Sequence, residues 1–227
     1  MKFSAVLFDL DGTLVDTLSL ILDSFHESLG QLGLSAEDEE IMATIGLPLK
    51  EVCVDFAGNR GEEMFKCYVD YQDAIHDSRV KEYAGTTALF EYLQEKGIRT
   101  GIVTSKRRGM AERGLAVTGL DKYVEVIVAF EDTTDHKPEP EPVQVALSAL
   151  SILPEKAFFV GDSPYDIRCG KNAGVYTAGV TWGVTAEKAL AEEEPNVIVH
   201  NWQELKCFLE GEFQEQSSVP GCLLGLA

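Results

Sequence analysis

The sequence predicts an α/β protein in which a doubly wound parallel sheet is interrupted, soon after its first strand, by an all-helical block. Three observations carry that expectation. From Glu82 onward, helical stripes alternate with short apolar runs, the pattern of parallel strands joined by crossover helices. Between residues 16 and 82 the apolar spacing is helical, with no strand-like alternation. The length of 227 residues is long for one small domain and short for two ordinary ones, which suits a core carrying an insertion. The expected division is residues 1–15 and 83–210 for the α/β core, 16–82 for the helical insertion and 211–227 for a flexible tail.

Residues 3–8 form an apolar run that reads as a buried strand, and it stops at Asp9. Leu18, Ile21, Leu22, Phe25, Leu29 and Leu32 then recur at helical spacing, with Gly33 as the stop. Leu49, Val52, Cys53 and Phe56 mark a helix entered at Pro48, and Met64, Tyr68, Tyr71 and Ile75 mark another after the break at 58–61. In the second part, Leu89, Phe90 and Leu93 lead through Gly97 to a strand at 101–103. Leu115 and Leu120 precede a strand at 124–128, and Val143, Ala146, Leu147 and Leu150 precede one at 157–160. Short strands at 175–179 and 197–199 and a helix over 204–209 complete the core. Beyond it, Ser, Gln, Gly and Pro without a period predict the flexible tail.

Ligands of an open parallel sheet bind outside the carboxyl ends of its strands, and the polar clusters of this sequence fall there. Asp9 and Asp11 close the first strand at a spacing that puts both carboxylates on one side of an extended segment. Their repulsion needs relief from a cation or a proton; an ordinary Asp-Gly turn is the alternative reading. Thr104 and Ser105 end the second strand. Asp162 and Asp166 follow the strand at 157–160, where the plainer reading is a helix N-cap acid and a first-turn acid. Lys137 stands in a loop fenced by Pro138, Pro140 and Pro142, which fixes the backbone around a cation suited to a phosphate. Several acids converging on one crest form a metal site by charge logic, and oxygen-only ligands suit magnesium.

Phe8-Asp9-Leu10-Asp11-Gly12-Thr13, the apolar run ending in Thr104, Lys137-Pro138-Glu139-Pro140-Glu141-Pro142 and Gly161-Asp162-Ser163-Pro164-Tyr165-Asp166 occur in this order. Together they resemble the four motifs of the haloacid dehalogenase superfamily of aspartate-nucleophile phosphohydrolases. The resemblance implies a Rossmann-like core and a Mg2+ cofactor held by Asp9, Asp11 and Asp162, with Asp166 supporting. It implies Asp9 as nucleophile, Asp11 as general acid and base, and Thr104 with the Ser105 backbone N–H on phosphoryl oxygens. Lys137 would hold both the nucleophile and the phosphoryl group.

The helical insertion resembles the family's helical cap of the C1 type, which would close over the crest and carry selectivity. Lys50, Arg60, Lys66 and Arg79 are its cationic candidates. Residues 45–48, 76–78 and 170–174 are similar to segments of the phosphoglycolate phosphatase group and the allied small pyrophosphatases. The implied function is a phosphatase for a small phosphate monoester, phosphoglycolate first. A pyrophosphatase of the same group and a β-phosphoglucomutase-like phosphomutase are the alternatives. Asp11 argues against a dehalogenase, which lacks that acid, and Thr13 stands where mutases usually have Val. A silent binding module would tolerate loss of a motif, and all four are present.

Formal net charge is −19, from 38 acids against 19 bases, which argues against nucleic acid or an acidic membrane as a partner held by general electrostatics. The expected partner is a small phosphorylated metabolite, met through a few placed cations. Five cysteines scattered without C-x-x-C pairing predict a reduced, cytoplasmic protein. No apolar segment approaches the roughly 20 residues of a membrane span, and no secretion signal is read at the start. His26, His76, His136 and His200 lack partners at zinc spacing. A monomer or weak homodimer is the expected state.

Overall fold

The computed structural model describes residues 2–211; of the tail expected at 211–227, all but Gly211 lies outside the described residues. All four residues of β1 (Ala5–Phe8) are buried, as a central strand covered on both faces requires. A two-residue strand β2 (Val15–Asp16) leads into helices α1 (Leu18–Gln31), α2 (Asp38–Met42), α3 (Leu49–Ala57) and α4 (Gly61–Arg79), and β3 (Lys81–Glu82) returns from them. The chain continues as α5 (Thr86–Glu95), β4 (Arg99–Val103), α6 (Arg108–Thr118), β5 (Val126–Val128), α7 (Glu141–Leu150) and β6 (Ala157–Gly161). It ends as α8 (Pro164–Ala173), β7 (Tyr176–Val180), α9 (Glu187–Glu192), β8 (Val197–Val199) and α10 (Trp202–Glu210).

Six strands form one parallel sheet in the order β5-β4-β1-β6-β7-β8, the doubly wound α/β class expected from the sequence. Phe8 at the end of β1 lies opposite Ile102 of β4 and Val160 of β6. The winding therefore reverses at β1, and a parallel sheet opens a crevice at such a switch point. Asp9, Thr104 and Asp162, the residues that follow β1, β4 and β6, all emerge there.

The period of two along each strand divides the core into two layers. Val6, Phe8, Phe158 and Val160 bury against α5, α6 and α10; Ala5, Leu7, Ala157 and Phe159 bury against α7 and α8. Phe8 meets the Phe90 ring at 5.3 Å and the Trp202 ring at 6.1 Å, so the strand bearing Asp9 is clamped by large rings. The four inserted helices bury a cluster of their own, including Ile21, Phe25, Ile41, Val52, Met64 and Tyr68. Their two connections to the sheet run side by side, since β2 and β3 pair antiparallel with Val15 opposite Glu82.

Four elements carry no sequence period. Two residues are too few to alternate in β2 and β3, and α2 and α9 are 5 and 6 residues long. What fixes α2 is its start, where the Glu37 backbone N–H donates to the Glu40 carboxylate at 2.9 Å. Element ends also move. The strand expected from residue 3 begins at Ala5, and the one expected from residue 124 begins at Val126 because Asp121–Tyr123 turns as a 3-10 helix. The strand expected at 175–179 is Tyr176–Val180. The last helix starts at Trp202 rather than 204, because the Asn201 side chain accepts the Glu204 backbone N–H at 3.0 Å. Among the described residues no helix is long and apolar enough to cross a membrane.

Candidate active site

The crest holds four buried charged side chains: Asp9, Lys137, Asp162 and Asp166 are 6%, 3%, 2% and 1% exposed. Lys137 Nζ donates to Asp9 Oδ1 and to Asp166 Oδ1, at 2.7 Å each. The other oxygen of Asp166 accepts from the Ser163 backbone N–H at 3.1 Å and from its hydroxyl at 2.6 Å, the cap that starts α8. Asp166 has thus spent both oxygens. Asp9 has spent one, and among the described residues its Oδ2 has no hydrogen-bond partner.

Asp162 is gripped between two chain segments, 12–13 and 183–184. Its Oδ1 accepts from the Thr13 hydroxyl at 3.1 Å and its Oδ2 from the Val184 N–H at 2.9 Å. Gly12 and Gly183 press on it so closely that a Cβ at either position would lie 2.3 or 2.2 Å from Asp162 Oδ2. Gly12 also has φ +79°, which an L side chain strains to adopt, so this turn calls for glycine twice over.

Three acids against one ammonium leave negative charge to be offset. Oxygens of Asp9, Asp162 and Asp166 lie within 4.8 Å of one another. Burial pushes the Asp9 carboxyl well up; Lys137 opposes this, while Asp166 and Asp162 add to it. Burial, then repulsion from Asp166, raises Asp162 to about 7 against the hydrogen bonds from Val184 and Thr13. Burial would lower Lys137, but the carboxylates of Asp166 and Asp9 outweigh it and hold the ammonium above its ordinary value. An all-oxygen donor set of this charge fits a hard divalent cation such as Mg2+.

That electrostatics has a measurable consequence. Asp162 raised to about 7 favours the folded, ion-free protein while protonated, and this contribution is lost as pH rises through about 7. A divalent cation held by these acids would bind the ionised form and restore the loss. The thermal shift produced by excess Mg2+ is therefore expected to be larger at about pH 8 than at about pH 6. Differential scanning fluorimetry at the two pH values checks it, and a shift larger at the lower pH would contradict the reading.

Asp11 is placed apart from these acids. β1 ends at Phe8, so strand alternation no longer governs the segment, and the Asp11 carboxylate turns to Lys106 Nζ at 2.7 Å and the Thr17 hydroxyl at 2.6 Å. Asp9 and Asp11 thus each have their own lysine. Thr104 is 6% exposed, and its oxygen accepts from the Lys106 backbone N–H at 3.2 Å, which leaves the hydroxyl proton free to donate. The Ser105 hydroxyl bonds the Gly46 carbonyl at 2.6 Å and so ties the crest to the inserted helices.

A cavity of about 340 Å³ lies between crest and insertion, bordered by Asp9, Asp11, Thr104, Ser105 and Asp162 below and by Phe25, Leu47, Lys50, Tyr68 and Gln72 above. Of the four cationic candidates in the insertion, Lys50 lines it. The others are held elsewhere: Arg60 by Glu63, Lys66 by Asp70 and Arg79 by Asp23.

With this geometry in view, a match over residues 6–180 to the family model described as haloacid dehalogenase-like hydrolase decides the family. The chain belongs to the haloacid dehalogenase-like hydrolases. It is 44% identical to a protein provisionally named pyrophosphatase PpaX in Caldanaerobacter subterraneus subsp. tengcongensis, over 91% of this chain and 94% of that one. It is 37% identical to pyrophosphatase PpaX of Anoxybacillus flavithermus, over 92% and 98%. Among solved structures, a predicted phosphatase from Clostridium acetobutylicum superposes with a TM-score of 0.83 at 28% identity, covering 92% of this chain and 100% of that one. The phosphatase class expected from the four motifs agrees with haloacid dehalogenase-like membership.

Sequence reasoning missed three contributors: Lys106 on Asp11, Thr13 on Asp162 and the Val184 N–H. Thr13 and Lys106 sit within or beside the segments singled out, so adjacency was the available signal. Val184 offers only a backbone group, which no sequence pattern marks.

Proposed function

We propose that the protein is a magnesium-dependent phosphatase that works through an aspartyl-phosphate on Asp9 and acts on a small phosphate compound. The observation that carries this is the Lys137 bridge, which engages one oxygen of Asp9 and leaves the other open toward the cavity. Asp9 Oδ2 attacks phosphorus in line with the leaving oxygen. Lys137 stays on Oδ1 and offsets charge on the phosphoryl oxygens, to which the Thr104 hydroxyl and the Ser105 N–H donate. Asp11 gives its proton to the leaving oxygen. Asp11 then takes a proton from the water that attacks phosphorus, freeing phosphate and restoring Asp9. A Mg2+ ion held by Asp9 and Asp162, with Asp166 fixing Lys137 beside them, would neutralise developing negative charge.

Residues 16–82 form a cap in this reading, excluding water and choosing the substrate. The motifs alone rank phosphoglycolate first, but the pyrophosphatase names of relatives covering nine-tenths of the chain move pyrophosphate ahead. Phosphate release from pyrophosphate, 2-phosphoglycolate and phenyl phosphate, each in Mg2+ and in excess chelator, tests the proposal. Release from all three in Mg2+ alone is expected, fastest from pyrophosphate. Undiminished release in chelator would remove the metal, and no release from any of them would remove the phosphatase. Conversion of a sugar 1-phosphate without free phosphate would mark a mutase instead.

A further inference from the structure

We propose that Tyr68, turned by Gln72, donates to the leaving group of the substrate, and that this leaving group carries anionic oxygens of its own, a phosphate or a carboxylate. The inference rests on the reading of Asp9 as nucleophile and Asp11 as acid.

Tyr68 and Gln72 stand one turn apart on α4, 3% and 4% exposed, and both line the cavity beside Asp11. Gln72 Nε2 donates to Tyr68 Oη at 2.9 Å. The phenol oxygen is therefore an acceptor in that bond, and its own proton must point elsewhere. Among the described residues no acceptor receives it. A buried hydroxyl with an unspent proton costs free energy until a partner supplies an acceptor, and the cavity is the place from which one can come. Asp11, whose proton would go to the leaving oxygen, borders the same cavity and meets Lys106 there.

Three cations are among the other polar groups that line the cavity. Lys106 and Arg107 line it, and Lys50 stands at its border over the Phe65 ring. Three acids stand nearby with partners already: Asp11 meets Lys106 at 2.7 Å, Asp73 meets Arg107 at 3.4 Å, and the Glu131 carboxylate accepts the Arg108 N–H at 2.8 Å. The remaining wall is apolar, from Phe25, Leu47 and Val52. A sugar would offer the Tyr68 proton only a neutral hydroxyl oxygen, a weaker acceptor than a charged one. A second phosphate or a carboxylate brings charged acceptors, and an ester without one leaves the Tyr68 hydroxyl unpaired, which is what penalises it.

Tyr68→Phe tests this, because the ring and its contact with Phe25 at 4.8 Å are retained. The readout is the ratio of kcat/KM for pyrophosphate, and for 2-phosphoglycolate, to that for phenyl phosphate, with all three measured in Mg2+. At least one ratio is expected to fall roughly tenfold, the scale of one hydrogen bond to a charged group. A fall for pyrophosphate alone identifies the anion as phosphate, and a fall for 2-phosphoglycolate alone as carboxylate. Equal loss on all three substrates would overturn the proposal and leave Tyr68 a packing residue. Gln72→Met, which removes the group that turns the phenol, should lower the same ratio by a smaller factor; it decides the matter if Tyr68→Phe loses its circular dichroism spectrum, and ratios equal to the parent's then overturn it. A parent enzyme that hydrolyses none of the three would refute the nucleophile reading rather than this one.

Discussion

Asp9→Asn is expected to lower kcat by roughly 10⁴-fold or more while the protein still folds. Asparagine has nearly the size of aspartate but no charge with which to attack phosphorus. The fold should tolerate it for a reason visible at the crest: Asp9 is buried next to two other acids that already disfavour its ionised form. Lys137 keeps Asp166 as a partner at 2.7 Å. Steady-state phosphate release and a melting curve on the same sample check both halves. Turnover close to that of the parent would remove Asp9 from the nucleophile's role.

Lys137→Met is expected to impair both activity and stability. The ammonium is 3% exposed and bridges two carboxylates, so its removal leaves buried acids without their cation. Breaking a buried pair from one side costs roughly 3–5 kcal/mol. Protonating the orphaned acids relieves part of that cost, so the deficit should be larger at about pH 8 than at about pH 5. Urea unfolding in chelator at the two pH values measures it. A variant as stable as the parent at the higher pH would show that Lys137 is not what balances this cluster.

Much of the fold was legible because its signals are local. Apolar runs that stop at Asp9, Thr104 and Asp162 mark strands covered on both faces, and their ends lie on one crest once the strands are parallel. Lys137 was legible through its three flanking prolines. The remainder depends on contacts that no local pattern carries. Lys106 follows Thr104 and Ser105 in the chain, but its charge is used by Asp11, brought near by the pairing of β1 with β4. Alternation put Asp9 and Asp11 on one side, but the strand ends at Phe8 and the turn through Gly12 sends Asp11 to a lysine of its own. Tyr68 fits the apolar stripe of its helix, and one position serves two surfaces: its ring packs on Phe25 while its hydroxyl borders the cavity.

Covalent capture of the intermediate tests the proposed chemistry most directly. Acid quench during turnover of pyrophosphate in Mg2+, followed by borohydride, reduces an aspartyl-phosphate to homoserine, which peptide mass spectrometry locates in the chain. Homoserine at position 9, absent when substrate is omitted and absent from Asp9→Asn, is the expected result. Homoserine at Asp11 or Asp162 instead, or none at any position while phosphate is being released, would contradict nucleophilic attack by Asp9.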